Sequence, residues 1–209
     1  MDTWVKICGI TTARDAELAV RSGVSAIGLN FVPTSKRRVT VEQALSIVSH
    51  LRDQRLEASV IGVFANQAQA EVLDTAHKLA LDGIQLHGDE SPADLDSYLA
   101  SFAMTFKAVR IGSQTDVDHA QAYGGPLLLV DAKVGNELGG TGHVFDWKLI
   151  TDLVVARKVV LAGGLRPGNV QSAVLQVRPY GVDTASGVEI APGIKDEELM
   201  RQFVTQARV

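Results

Sequence analysis

Two residues of this sequence carry side chains suited to moving a proton, and each ends a short apolar run. Cys8 ends the run that begins at Val5, and Asp131 follows the run 127–130. A thiol and a carboxyl can each take part in proton transfer, so both residues are candidates for chemistry on a small substrate. A free cysteine is only about 3% thiolate at pH 7, and a lowered pKa of Cys8 would make it more reactive. An aspartate is ionised at pH 7, and burial or nearby negative charges favour its protonated state.

Both residues also have structural interpretations. A lone cysteine on a strand is commonly a small buried apolar residue, and an aspartate after a strand can cap a turn. The sequence contains no cluster of His, Cys and Asp with the spacing of metal ligands, so it predicts no metal site.

Glycine-containing turns follow the last two apolar runs. Residues 159–162 lead into Gly163 and Gly164, and residues 182–184 lead toward Ser186 and Gly187. Glycine lets backbone N–H groups approach an anion closely, and barrel enzymes often bind phosphate between their last two loops. Either turn alone could be no more than a tight turn, but as a pair they predict a phosphate site.

The glycine-rich segment 135–142 could be mistaken for a nucleotide-binding loop. It lacks the Gly-Lys-Ser/Thr ending of a P-loop. Four glycines in a long loop after the Asp131 strand favour a mobile lid over the site.

Eight apolar runs alternate with amphipathic stretches along the chain. The predicted strands are 5–10, 26–31, 60–64, 83–87, 106–111, 127–131, 159–162 and 182–184. The predicted helices are 12–22, 41–52 with Thr40 as N-cap, 67–79, one opened by Ser91-Pro92, 115–122, one starting near Phe145, one from Pro167, and 196–209. Strands that alternate with helices imply a parallel sheet. Units of about 26 residues fit a single-domain (β/α)8 TIM barrel over residues 1–209 better than an open doubly wound sheet.

Composition restricts the function classes. No apolar run approaches the roughly 20 residues that span a bilayer, and the N-terminus lacks a signal pattern. The single cysteine cannot form an internal disulfide, which favours a reducing, cytoplasmic setting. The net charge of −4 argues against bulk attraction to nucleic acid or to an anionic membrane. An anionic small-molecule ligand would therefore need local donors.

Ten short motifs are distributed along almost the whole chain. They are 5–10 (Val-Lys-Ile-Cys-Gly-Ile), 31–37 (Phe-Val-Pro-Thr-Ser-Lys-Arg), 63–66, 85–88 (Gln-Leu-His-Gly), 129–131, 139–142, 145–147, 161–165, 186–189 and 192–196. In these motifs and in their order, the chain resembles the phosphoribosylanthranilate isomerases of tryptophan biosynthesis.

The resemblance implies an activity and roles for three residues. Such enzymes convert N-(5-phosphoribosyl)anthranilate into 1-(2-carboxyphenylamino)-1-deoxyribulose 5-phosphate by an Amadori rearrangement, without a cofactor. Cys8 would be the general base, Asp131 the general acid, and Arg37 the partner of the anthranilate carboxylate. The sequence departs from the family at Lys36, where proline is frequent, and Arg38 leaves open which arginine points inward.

Three further polar residues lie at or near strand ends. We expect His87 to line the pocket or donate a hydrogen bond to the substrate. Asp183 could orient the loop backbone near the phosphate or be purely structural. Lys6 lies on the same strand face as Cys8 and is predicted to be an ion-paired residue at the barrel bottom.

Two other functions compete with this prediction. A related isomerase of histidine biosynthesis uses aspartates at the first and fifth strand ends, where this chain has Cys8 and Arg110-Ile111. A non-catalytic phosphosugar-binding barrel would keep the glycine loops but would not need an acid and a base. We therefore expect a phosphorylated small molecule as the ligand. We expect the chain to be a monomer or a homodimer.

Overall fold

The computed structural model describes residues 3–132 and 147–209. Within them, eight parallel strands hydrogen-bond in chain order, and the eighth pairs with the first to close a barrel. The predicted (β/α)8 barrel is therefore confirmed. The strands are β1 (Trp4–Cys8), β2 (Ala26–Asn30), β3 (Ser59–Phe64), β4 (Gly83–Leu86), β5 (Thr105–Ile111), β6 (Leu128–Ala132), β7 (Val159–Ala162) and β8 (Gly181–Thr184).

Helices surround the barrel and begin at side-chain caps in several places. The hydroxyl of Thr40 accepts the Gln43 N–H while the Gln43 side chain accepts the Thr40 N–H, so the predicted N-cap is confirmed. No helix in the described residues is long and apolar enough to span a membrane. The helices are α1 (Ala13–Arg21), α2 (Val41–Asp53), α3 (Gln69–Leu79), α4 (Pro92–Ser101), α5 (Gln114–Ala120), α6 (Thr151–Ala156), α7 (Pro167–Val177) and α8 (Glu197–Ala207).

Alternation along each strand divides the core into two layers. On β1, Val5 and Ile7 pack outward against the helices, while Lys6 and Cys8 lie on the opposite face, toward the barrel interior. A separate cluster around Phe106 fills the barrel interior. Because apolar side chains fill the interior, a ligand must bind at an end of the barrel.

Two parts of the chain differ from the sequence prediction. The segment after β8 continues as a short 3-10 helix, Ser186–Val188, and then as an unpredicted antiparallel hairpin of β9 (Glu189–Ala191) and β10 (Ile194–Lys195). These strands are too short to produce an apolar run. The helix predicted near Phe145 begins as a 3-10 turn at Trp147–Ile150 followed by α6, and Phe145 lies outside the described residues.

Candidate active site

A cavity of about 260 Å³ lies at the carboxyl ends of the strands. Of the nine predicted site residues, eight line it: Cys8, Arg37, His87, Asp131, Gly163, Gly164, Asp183 and Ser186. Because these residues come from six strand ends or following loops, only the closed barrel brings them together. The ninth residue, Gly187, follows Ser186 in the loop after β8 and is not among the lining residues.

Cys8 is buried at the end of β1, where Gly28 of the neighbouring strand leaves it room. A Cβ atom at Gly28 would lie 2.8 Å from the Cys8 sulfur. The pKa of the Cys8 thiol is raised, because burial and the Asp183 carboxylate outweigh the ammonium groups of Lys6 and Lys195. This shift is opposite to the lowering that would help catalysis. The thiol of the free protein is therefore neutral at pH 7, and the two lysines limit the cost of ionising it.

A buried ion pair forms the floor of the cavity. Lys6 and Asp183 are register partners on β1 and β8, and the Lys6 ammonium donates to the Asp183 carboxylate at 2.9 Å. Burial lowers the pKa of Lys6, but the Asp183 carboxylate outweighs burial, so the pKa is raised and Lys6 is charged. Lys6 is thus ion-paired as predicted, but beneath Cys8 rather than at the far end of the barrel. Within residues 3–132 and 147–209, the hydrogen bond of the Asp183 side chain is the one from Lys6.

Asp131 faces His87 across the cavity. The His87 Nε2 atom lies 3.7 Å from the Asp131 carboxylate, which is beyond hydrogen-bond distance. The other ring nitrogen, Nδ1, lies 3.0 Å from the amide nitrogen of buried Gln85. If that amide donates to Nδ1, the neutral ring carries its proton on Nε2, on the side of Asp131. Within the described residues, the Gln85 amide oxygen has no hydrogen-bond partner.

Of the two adjacent arginines, Arg37 reaches the cavity and Arg38 is exposed. The Arg37 side chain lies over Gly9, whose φ of +72° and lack of a Cβ atom allow the close approach. Its Nε and Nη2 atoms donate to the two carboxylate oxygens of Glu189 at 2.7 and 2.6 Å. These two bonds hold the guanidinium in place.

The two glycine loops contact each other. Gly163 and Gly164 have φ values of +94° and +64°, so both use a backbone conformation that favours glycine. The Thr184 hydroxyl donates to the Leu165 carbonyl at 2.7 Å, and a Cβ atom at Gly187 would collide with that carbonyl. Gly187 lies where the two loops meet and is not among the residues that line the cavity, so its predicted role in binding stays a prediction.

Sequence reasoning missed Glu189 and Lys195. Both lie on the short hairpin, and both side chains are buried, with 4% and 0% exposed. The Lys195 ammonium donates to the Cys8 carbonyl at 2.7 Å, across 187 residues of sequence. Both residues fall in motifs that carry the family resemblance, and this resemblance is the signal that could have identified them. The apolar and polar pattern around them does not indicate the hairpin.

The described residues contain no group of three or more His, Cys, Asp or Glu side chains that could hold a metal ion. The cavity instead offers a thiol, carboxylates, an imidazole, an arginine and glycine loops. Such a set suits proton transfer on an anionic ligand. The lid predicted at 135–142 lies outside the described residues.

Comparisons with known proteins identify the family of this chain. Residues 5–206 match the family model for N-(5'-phosphoribosyl)anthranilate (PRA) isomerase. The protein of that name from Magnetococcus marinus is 42% identical over 204 residues, which cover 98% of this chain and 94% of the relative.

Solved structures of the family have the same fold. Two structures of the Thermotoga maritima enzyme are 37% and 36% identical, with TM-scores of 0.87 and 0.86 and 98% of both chains covered; the second is of monomers generated from a dimeric enzyme. A third structure, 35% identical with a TM-score of 0.85 and the same coverage, holds reduced 1-(o-carboxyphenylamino)-1-deoxyribulose 5-phosphate. The resemblance predicted from the sequence is thereby confirmed, and the chain belongs to the N-(5'-phosphoribosyl)anthranilate isomerase family, the isomerases of tryptophan biosynthesis.

Proposed function

We propose that this protein rearranges N-(5'-phosphoribosyl)anthranilate to 1-(2-carboxyphenylamino)-1-deoxyribulose 5-phosphate, with Asp131 as general acid and Cys8 as general base. The observation that carries the proposal is that both side chains line one cavity together with two glycine loops and an arginine. In the barrel, their strands are separated by β7 and β8, whose loops would hold the phosphate between them.

The reaction needs one acid and one base. Asp131 donates a proton to the ribose ring oxygen, and the C1'–O bond breaks to give an open-chain iminium. Cys8 first loses its own proton to solvent, and as the thiolate it then removes the proton from C2'. The resulting enolamine gains a proton at C1' and loses its hydroxyl proton to become the ketone. No atom other than the proton is exchanged with the protein, so the step needs no redox partner or cofactor.

The positions of the charges support these roles. The Lys6 ammonium below Cys8 stabilises a thiolate when it forms, because opposite charges close together favour the ionised state. The phosphate and carboxylate of the substrate are negative, as an ionised Asp131 is, and like charges close together favour the protonated state of Asp131. We therefore propose that substrate binding prepares the acid.

The anionic groups of the substrate would occupy separate parts of the cavity. Backbone N–H groups of Gly163, Gly164 and the Ser186 turn suit the phosphate, since glycine permits close approach. Arg37 suits the aryl carboxylate because a planar guanidinium can bind a carboxylate through two hydrogen bonds. His87 would contact the sugar beside Asp131, and Asp183 would keep Lys6 in position.

A non-catalytic phosphosugar-binding barrel is the alternative from another functional class. Such a protein has no use for a thiol and a carboxyl facing the same ligand. The histidine-pathway isomerase is disfavoured because the fifth strand ends in Arg110-Ile111 rather than aspartate. We further expect a cytoplasmic enzyme made of one barrel domain, active as a monomer or homodimer.

The test is the loss of phosphoribosylanthranilate fluorescence on addition of purified protein. We expect first-order decay that depends on protein concentration, and no reaction of the dephosphorylated N-ribosylanthranilate at the same concentration. Binding of both compounds without any decay would contradict the proposed activity and favour the non-catalytic alternative.

A further inference from the structure

Glu189 stands out because it is buried, charged and unused in the proposed reaction. Its carboxylate accepts hydrogen bonds from Arg37 Nε and Nη2, from Lys195 Nζ at 2.8 Å and from the Gly193 N–H at 3.2 Å. One carboxylate thus joins two cations from different parts of the chain. Such a buried network stays formed only if each member is satisfied.

Lys195 connects Glu189 to the catalytic strand. Besides Glu189, its ammonium donates to the carbonyl oxygens of Cys8 at 2.7 Å and Ala185 at 2.9 Å. These three bonds use all three N–H groups of the ammonium. The position of Glu189 is therefore fixed relative to the backbone that carries the proposed base and to the residue before the Ser186 turn.

Arg37 connects Glu189 to the cavity. A guanidinium has two edges that can each bind a carboxylate through two bonds, and Glu189 occupies the edge formed by Nε and Nη2. Within the described residues, Nη1 has no hydrogen-bond partner, which leaves the second edge, Nη1 and Nη2, for an incoming group. The Arg37 N–H also donates to the Ser35 hydroxyl at 3.1 Å, which holds the base of the side chain.

The charges of the cluster leave room for one more anion. Burial raises the pKa of Glu189, but the hydrogen bonds from Arg37 and Lys195 outweigh burial and the pKa is lowered. The pKa of Lys195 is lowered, because burial outweighs the opposing effect of the Glu189 carboxylate. Two cations and one carboxylate give a net charge of +1 at the wall of the cavity. One substrate carboxylate would neutralise it.

We propose that Glu189 is a positioning residue for the substrate's aryl carboxylate: it holds Arg37 with one edge free and, through Lys195, fixes that edge relative to Cys8. This inference rests on the proposed function for the identity of the carboxylate. It assigns to Glu189 the selection of ligands with a carboxylate over ligands without one.

The experiment compares two ligands that differ only in the carboxylate: 1-(2-carboxyphenylamino)-1-deoxyribitol 5-phosphate and the same compound with an unsubstituted phenyl ring. Dissociation constants are measured by calorimetry for the wild type and Glu189→Asp. Aspartate keeps the charge but is shorter by one methylene, so it cannot reach Arg37 and Lys195 together. We expect the preference for the carboxylate ligand to fall about tenfold, because small displacements of a positioning group have large effects. Affinity for the phenyl ligand should stay within about twofold.

A matched control variant and the same substitution in an Arg37→Ala protein show whether the effect is specific to Glu189 and passes through Arg37. Glu198→Asp makes the same change in an exposed pair with Arg201 and should leave both affinities unchanged. In an Arg37→Ala background, Glu189→Asp should not lower the preference further, since its effect passes through Arg37. If Glu189→Asp does not fold, Glu189→Gln replaces it with the same expectation.

Four results would overturn the proposal. They are an equal loss of affinity for both ligands, an unchanged or increased preference in the Glu189 variant, a further loss of preference in the Arg37→Ala background, and equal binding of both ligands by the wild type. If the variants give the expected preferences but the wild type does not consume phosphoribosylanthranilate, the proposed function is contradicted while the role of Glu189 is supported.

Discussion

Replacing Lys6 by methionine tests whether the ion pair below the cavity stabilises both the barrel and the thiolate. The Lys6 side chain is 0% exposed and that of Asp183 is 9% exposed, and the two are 2.9 Å apart. Removing one member of a buried pair leaves an uncompensated charge and typically costs roughly 3–5 kcal/mol. We expect Lys6→Met to lower the free energy of unfolding by about that amount at pH 7. The double variant Lys6→Met/Asp183→Leu should recover most of the loss, since an apolar pair needs no desolvation.

The same substitution has a second, independent readout. Lys6 is one of the charges that oppose the raised pKa of Cys8. In Lys6→Met, the acidic limb of the kcat/KM profile should therefore move to higher pH. Urea unfolding, followed by circular dichroism, measures the free energy of unfolding. Turnover of phosphoribosylanthranilate, followed by fluorescence from about pH 6 to about pH 9, measures the kcat/KM profile.

The control for this prediction is Arg201→Met, which breaks an exposed pair with Glu198. Solvent screens that pair, so the change in stability should be much smaller than for Lys6→Met. A Lys6→Met variant as stable as the control, or an acidic limb that moves to lower pH, would refute the account of the cavity floor.

Three further predictions concern the cavity wall. Arg37→Ala should weaken carboxylate ligands by roughly 2–4 kcal/mol in calorimetry; Arg38→Ala is the control, and a large loss in that variant instead would contradict the assignment. Gly187→Ala should raise the KM and the dissociation constant for inorganic phosphate, because its Cβ would push the two loops apart; unchanged phosphate protection against thermal unfolding would count against the phosphate site. Glu189 has a lowered pKa, so its contribution to stability is present above its unfolded pKa and is lost as pH falls through the folded value. The destabilisation by Glu189→Gln should thus shrink below about pH 4 in urea unfolding, and a constant difference down to pH 3 would contradict this reasoning.

The barrel and most of the wall of its cavity could be predicted from the sequence for a simple physical reason. Strands buried on both faces are largely apolar, so a polar residue at the end of such a run marks the edge of the barrel. Cys8 and Asp131 were found in this way. In a closed parallel barrel all such ends meet at one face, so residues far apart in sequence were placed together without knowledge of any contact.

The contacts that tune the site could not be predicted. Arg37 and Glu189 are 152 residues apart, and their pairing depends on a hairpin of two very short strands. The direction of the Cys8 pKa shift depends on a balance between burial and two lysines, which no local pattern reveals. At Gly187, the sequence does not distinguish a glycine needed where two loops pack from one needed for anion binding, because both produce the same signal.

Turnover of phosphoribosylanthranilate by Cys8→Ser and Asp131→Asn tests whether Cys8 and Asp131 form an acid–base pair that acts on one substrate. We expect each substitution to lower kcat by at least about 100-fold, as is usual for loss of a general base or acid. Affinity for the reduced product should change little. Near-normal turnover by either variant would remove that residue from the mechanism and contradict the proposed acid–base pair.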